Sequence, residues 1–216
     1  MPMAEVTRTP LRFGQLLAAP GVVEQVELRG KVGFCAYHGG NLERRTEVIA
    51  TEAARLSGAS LYTVTQPRSM RHHIPSAHVD PSESPRFAAF VEHCDYVITV
   101  HGYGRQGLFS SLLCGGQNRA LAGHVADHIR HELAAYTVLD SLDQIPKSLR
   151  GLHPHNPCNI TTGGGMQLEL PPRVRGLTPM ADYWPCSHAD TSFPHINRLV
   201  VALAAAAASW HPEPYP

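Results

Sequence analysis

Two histidines stand at the ends of predicted strands, and each is followed by glycine. His38 follows the apolar run Lys31–Tyr37, and His101 closes the apolar run Tyr96–His101. Because the carboxyl ends of neighbouring parallel strands lie at the same edge of a sheet, we expect the two imidazoles at one edge. Neutral imidazole is a common zinc ligand. The pair therefore favours a chemical site at that edge.

A carboxylate follows the first of these histidines. Glu43 lies five residues after His38, and we expect it in the first turn of a helix over Leu42–Ser57 with Asn41 as the N-cap. The two glycines after His38 let the backbone bend sharply, so both side chains can face one point. There they would supply two of the three protein ligands of a zinc site built from two histidines and one glutamate. Equally, His38 would suit a strand end and Glu43 a helix dipole without any metal.

A third charged group interrupts the apolar strand predicted over Met166–Pro171. The alternation places Gln167 and Glu169 on one face and the apolar side chains on the other. A buried carboxylate without a partner is costly. Glu169 is therefore expected either to face solvent or to be held by a partner.

Four polar side chains crowd the loop predicted over residues 67–81, namely His72, His73, His78 and Asp80. They could form a lid that contacts substrate or supports the site. A solvated loop with no function fits the same residues.

The elements that must position these groups alternate along the chain. Roughly six strands are predicted, at Lys31–Tyr37, Ala59–Thr65, Tyr96–His101, Leu108–Cys114, Ala135–Asp140 and Met166–Pro171. Helices are predicted at Leu42–Ser57, Pro85–Cys94 and Asn118–Glu132. This order favours an α/β fold, with a mixed, largely parallel sheet and helices on both faces. The length of 216 residues suits one domain with a sizeable core, so we expect a single domain over residues 1–216.

Composition and motifs exclude several classes of protein. Lys and Arg number 18 and so do Asp and Glu, whereas nucleic-acid binding needs an excess of cations. The apolar run at 199–210 is shorter than the ~20 residues that cross a bilayer, so it predicts a C-terminal helix over about 195–210 and no membrane partner. No secretory signal is recognisable, and we expect a cytoplasmic protein. Motifs of serine hydrolases, P-loop enzymes and Rossmann dehydrogenases are missing from the sequence.

Taken in order, the polar clusters resemble the poly-γ-glutamate hydrolase family, whose phage-encoded members are zinc-dependent γ-glutamyl hydrolases. The motifs that carry the resemblance are His38-Gly39-Gly40 with Glu43, Ser76 with His78 and Asp80, His101-Gly102-Tyr103, Gly115-Gly116 with Asn118, and Gln167-Leu168-Glu169. They extend over about Val32 to Arg175. The ordered set is far more specific than any single motif.

The resemblance implies a zinc carboxypeptidase-like fold and zinc-assisted amide hydrolysis. It makes His38, Glu43 and His101 the ligands of a Zn²⁺ cofactor, and Glu169 the general base that takes a proton from the attacking water. His78 and Tyr103 are candidates for hydrogen bonds to the tetrahedral intermediate.

The implied partner is an anionic glutamyl polymer or a small glutamyl amide, which needs cationic residues. The candidate substrate-binding residues are Arg175, Arg173, Arg105, Ser76 and Asn118. Two alternatives stay open at this point. One is a deacylase that acts on N-acylglutamate or N-formylglutamate, and the other is a phage-derived protein that binds metal without turnover.

Overall fold

The computed structural model describes residues 11–177 and 194–211 of the chain. The described helices are α1 (Phe13–Leu17), α2 (Thr46–Ser57), α3 (Pro85–His93), α4 (Arg119–Glu132) and α5 (Pro194–Ser209). The described strands are β1 (Val23–Glu27), β2 (Val32–Gly40), β3 (Ser60–Gln66), β4 (Tyr96–Gly102), β5 (Ser111–Cys114), β6 (Thr137–Leu139) and β7 (Gly165–Leu170). The predicted domain limits of 1–216 include residues outside the described ranges.

All seven strands form one sheet in the order β1-β3-β2-β4-β7-β5-β6. The pairs β2–β3, β2–β4, β4–β7 and β5–β6 are parallel, whereas β1–β3 and β5–β7 are antiparallel. The three strands at the centre, β2, β4 and β7, are therefore parallel neighbours whose carboxyl ends share one edge. The prediction of a mixed, largely parallel sheet is confirmed.

Helices cover the sheet on both faces, as predicted. Alternate residues of the central strands pack with α2, α4 and α5 in the larger core cluster. The intervening residues pack with α1 and α3 in a second cluster. Strand β2 shows the division, since Phe34 belongs to the first cluster and Cys35 to the second. We call the side covered by α1 and α3 the α3 face.

The predicted strands match β2, β3, β4, β6 and β7 to within three residues at each end. Strand β1 was not predicted. It lies at the edge of the sheet, and its residues are partly or fully exposed, so it has no apolar run. Strand β5 forms the last four residues of the predicted run Leu108–Cys114.

Helix α2 begins at Thr46, four residues later than predicted. The residue before it, Arg45, has a left-handed backbone with φ of 71°, which ends any helical run from Leu42. Glu43 therefore lies in the turn that precedes the helix, and its expected place in the first helical turn is wrong. Its backbone N–H donates to the carbonyl of His38 at 2.9 Å, so the turn folds back onto the end of β2.

Asn41 is not the N-cap of α2. Its side-chain amide donates to the carbonyls of Arg68 and Met70, both at 3.1 Å. The contact ties the turn after β2 to the loop after β3. No helix within the described ranges is long and apolar enough to cross a membrane; the predicted C-terminal helix corresponds to α5.

Candidate metal centre

A bulge in β2 turns His38 toward the α3 face. The register of β2 against β3 shifts between Ala36 and Gly39, so that β2 carries one extra residue there. Consecutive side chains of a regular strand point to opposite faces, but the rings of Tyr37 and His38 lie only 4.6 Å apart. His101, near the end of β4, lies on the same face, with its ring 5.1 Å from that of His38.

Glu43 lies between the two imidazoles. Its Oε1 is 3.0 Å from His38 Nδ1, and its Oε2 is 3.3 Å from His101 Nδ1. The ligand atoms of the three side chains all lie within 4.8 Å of one another. The backbone N–H of Gly102 donates to Glu43 Oε2 at 2.8 Å, which fixes the orientation of the carboxylate. The turn before α2 and the ends of β2 and β4 thus bring the three predicted ligands together.

The outer hydrogen bond of His38 determines which of its nitrogens can bind a metal. Its Nε2 lies 2.8 Å from the carbonyl of Ile74, which can only accept, so Nε2 carries the proton. In the neutral ring, Nδ1 then has a lone pair aimed at the Glu43 carboxylate. Two acceptors that face each other call for a cation between them.

His101 is held by Tyr37. Its Nε2 lies 2.8 Å from the Tyr37 hydroxyl, and that hydroxyl is also hydrogen-bonded to Ser76. Ile74 and Ser76 belong to the same segment of the loop after β3. This loop therefore supports both imidazoles from behind, through a carbonyl on one side and a phenol on the other.

The charges of the triad are strongly coupled. Burial by itself would raise the pKa of Glu43, but the two neighbouring imidazoles outweigh it and hold that pKa below its ordinary value. Burial would lower the pKa of His38, yet the Glu43 charge and the hydrogen bonds to Glu43 and Ile74 raise it overall. The site is thus built to hold positive charge.

These three side chains fit a zinc ion. Two imidazole nitrogens and one carboxylate oxygen are a known ligand set of catalytic zinc, which leaves a fourth position for water or substrate. Separations of 3.0 and 3.3 Å between ligand atoms suit neighbouring ligands at zinc distances of about 2.0–2.2 Å. A carbonyl that accepts from the outer nitrogen of a histidine, as Ile74 does, is typical of metal-bound imidazole.

Glu169 lies beside the triad on the adjacent strand. It is the register partner of His101 across the β4–β7 pair, and only 4% of its surface is exposed. Gln167 donates to its Oε1 at 2.8 Å, and Asn156 in turn donates to Gln167 at 2.7 Å. Burial raises the pKa of Glu169 to about 7. Of the two expectations for this carboxylate, the buried and partnered one is therefore correct.

Arg175 lies behind the site with its guanidinium bonded to the backbone. It donates to the carbonyls of Leu170, Arg44 and Tyr103 at 3.0–3.2 Å, and only 5% of its surface is exposed. It covers Gly102 so closely that a Cβ there would lie 2.6 Å from the guanidinium carbon. Burial lowers its pKa to about 10. Arg175 thus joins the ends of β4 and β7 to the turn before α2.

The structure does not bring the remaining predicted residues to the triad. His78 lines a separate cavity with Asp80 and His155. The Tyr103 hydroxyl is within 2.9 Å of two backbone carbonyls. Arg105 contacts Ser148. Arg173 contacts Ser110 and the Tyr136 ring. Asn118 caps α4 near the amino end of β7. Ser76 reaches the site only through Tyr37.

Two contributors near the triad carried no signal in the sequence. Tyr37 is one of several aromatic residues in apolar strands, and nothing in its sequence position marks its hydroxyl as a partner of His101. Arg71 lines a cavity next to the triad but is not itself part of any motif. The nearest signals in the sequence were the adjacent His38 for Tyr37 and the adjacent His72 and His73 for Arg71.

Comparison with known proteins places the chain among hydrolases of one kind. The family model for poly-gamma-glutamate hydrolase matches residues 18–183. UPF0714 protein YndL of Bacillus subtilis (strain 168) is 30% identical over 155 residues, which are 69% of this chain and 56% of the relative. The chain therefore matches just over half the length of that curated relative.

Two solved structures share the fold. The structure of bacteriophage poly-gamma-glutamate hydrolase superposes with a TM-score of 0.72 at 20% identity and covers 87% of this chain and 88% of that one. Zinc-free YndL gives a TM-score of 0.74 at 21% identity, with 92% and 96% covered. The region matched by the family model contains the whole triad and Glu169. The chain belongs to the poly-gamma-glutamate hydrolase family.

Proposed function

We propose that the protein is a zinc-dependent hydrolase that cleaves γ-glutamyl amide bonds in an anionic glutamyl polymer or a small glutamyl amide. The observation that carries the proposal is the triad of buried His38 and His101 with partly buried Glu43, together with the Glu169 carboxylate beside it, in a chain of this family. A protein that only bound metal would have no need of a buried carboxylate with a pKa near 7 at that position.

The residues of the site have separate roles in the proposed mechanism. His38 and His101, through Nδ1, and Glu43, through a carboxylate oxygen, would hold the zinc ion. When bound, zinc would polarise the scissile carbonyl and would make water nucleophilic near neutral pH. Glu169 accepts the proton of the attacking water and returns it to the leaving nitrogen. A pKa of about 7 suits both transfers, because the group can take and release a proton at neutral pH.

The test combines metal content with a panel of substrates. Purified protein should contain one zinc per chain, and it should cleave poly-γ-glutamate but not poly-α-glutamate. N-acylglutamates and N-formylglutamate form a third arm, since a deacylase would turn over only these. His101→Ala should lose both metal and activity. Equal rates on the two polymers, or turnover of the N-acyl compounds alone, would overturn the γ-glutamyl assignment.

A further inference from the structure

A cavity of about 260 Å³ opens directly beside the metal triad. Chain neighbours of two of the triad residues line it, because Leu42 and Arg44 flank Glu43 and Gly102 follows His101. The backbone N–H of Gly102, a lining residue, donates to Glu43 Oε2 at 2.8 Å. A molecule bound in the cavity would therefore lie next to the metal-binding groups.

The cavity carries positive charge. Its lining includes Arg44, Arg71 and Arg175, and the other described lining residues are neutral, namely Asn41, Leu42, Gly102, Tyr103, Gly104, Pro172 and Leu177. Guanidinium groups match the geometry of carboxylates, to which they can donate two parallel hydrogen bonds. The chemistry of the lining thus fits a carboxylate of the ligand.

The arginines have different places in this cavity. Arg175 is buried, and its three bonds to backbone carbonyls make it part of the wall. Arg71 comes from the loop after β3 and is exposed, so its guanidinium can approach a bound anion directly. Arg175 is part of the cavity wall, and Arg71 is an exposed residue of its lining.

We propose that this cavity is the subsite for the free α-carboxylate of the glutamyl unit next to the cleaved bond, with Arg71 as its direct contact. The inference rests on the proposed function. A γ-linked chain has a free α-carboxylate beside every amide, whereas an α-linked chain uses that carboxyl group in the amide itself. Arg71 would therefore discriminate between the two linkages.

The test compares two peptides that differ only in charge. One is γ-linked triglutamate, and the other is the same peptide with its α-carboxylates converted to carboxamides. Arg71→Ala should lower kcat/KM on the triglutamate by about 10- to 100-fold, the usual range for loss of a charged hydrogen bond, and should change kcat/KM on the amidated peptide by less than about 3-fold. Arg68→Ala is the matched control, because Arg68 is exposed in the same loop but outside the cavity lining. Equal losses on both peptides, or equal effects of the two variants, would overturn the subsite.

A binding measurement separates this inference from the proposed function. Calorimetric titration of the zinc-loaded Glu169→Gln variant with the two peptides requires no turnover. The triglutamate should bind at least about 10-fold more tightly than the amidated peptide, and Arg71→Ala in this background should remove the difference. If the wild-type protein hydrolyses neither peptide but this preference exists, the proposed activity is wrong and the subsite stands. Equal affinity for the two peptides, or no binding of the triglutamate, would overturn the subsite.

Discussion

Glu169 combines burial, one side-chain donor and proximity to the candidate metal-ligating residue His101, its register partner on β4. Glu169→Gln keeps the size of the side chain and can still accept the Gln167 hydrogen bond, but it cannot take up a proton. We expect the variant to retain full zinc content and to lose about 10²–10⁴-fold in kcat, the usual contribution of a general base. Zinc analysis and steady-state kinetics on the same preparation check this. If zinc is lost together with activity, Glu169 is a ligand and not the base.

The raised pKa of Glu169 also predicts how the stability of the metal-free protein depends on pH. The folded-state value of about 7 lies above the ordinary value of 4.5, so the native state keeps a proton that the unfolded state releases between these pH values. Stability is therefore lost as pH rises through this window, by on the order of 3 kcal/mol from this group. Glutamine does not titrate. In urea unfolding, the free energy of unfolding of zinc-free Glu169→Gln should therefore rise relative to that of the wild type between pH 5 and pH 8. A constant difference across this range would contradict the assignment.

Tyr37 shows how a residue outside the ligand set can act on the metal. With zinc on Nδ1, His101 would carry a hydrogen on Nε2, and the Tyr37 hydroxyl would accept a hydrogen bond from that N–H. We expect Tyr37→Phe to weaken zinc binding by about 10-fold or more, the usual effect of losing such an outer hydrogen bond. Competition with a chelator measures the zinc Kd. Tyr62→Phe is the control, since Tyr62 is equally buried on the neighbouring strand but its hydroxyl bonds Glu24; equal effects of the two variants would exclude a specific role for Tyr37.

For individual residues of the site, the sequence predicted which residue types come together but not how deeply each side chain is buried. His38, Glu43 and His101 could be predicted because strand ends and glycines are visible in the sequence and parallel strands share an edge. The position of Arg175 could not be predicted, because its partners are three backbone carbonyls, and every residue has a backbone carbonyl. Proximity in sequence to Glu169 predicted a substrate contact, which stays a prediction; the structure places the guanidinium in the wall of a cavity.

Among the elements, the loop after β3 and the turn before α2 do most of the positioning. Both depend on contacts that no periodicity encodes: the Ile74 carbonyl on His38, the Asn41 amide on the loop backbone, and the bulge in β2. The strands were predictable because burial on both faces of a parallel sheet requires continuous apolar runs. The start of α2 was not predictable from the sequence. The turn before it is formed by backbone contacts with the end of β2, whereas the prediction relied on a polar side chain that would suit an N-cap.

Gly40 is the point where β2 passes into this turn. It has φ of 71°, and a Cβ there would overlap the carbonyl oxygen of Gln66. Gly40→Ala should therefore destabilise the protein by more than the roughly 1 kcal/mol of a left-handed alanine and should weaken zinc binding, because Glu43 lies three residues further on. Gly58→Ala is the matched control, with φ of 72° and no atom within 4 Å of the added carbon. Equal losses of stability and unchanged zinc affinity in both variants would show that the turn does not depend on this approach.

The whole molecule places its candidate metal centre where three separate parts of the chain meet: the bulged end of β2 with its turn, the end of β4, and the loop after β3. The ligands are brought together only by the folded sheet, so zinc should bind the native state far more tightly than the unfolded chain. Ligand binding of this kind stabilises a protein by about 4 kcal/mol when free zinc is 1,000 times its Kd.

For a chain of 216 residues, each kcal/mol corresponds to roughly 2–4 °C in Tm. We therefore expect a chelator to lower the Tm of the zinc-loaded protein by about 8–16 °C, and restored zinc to recover it. His38→Ala, which removes one ligand, should have nearly the same Tm with and without chelator. Calorimetry at a fixed free zinc concentration measures both. A wild-type Tm that does not respond to chelator would mean that the triad holds no metal in the native protein, and the zinc-dependent mechanism would fail with it.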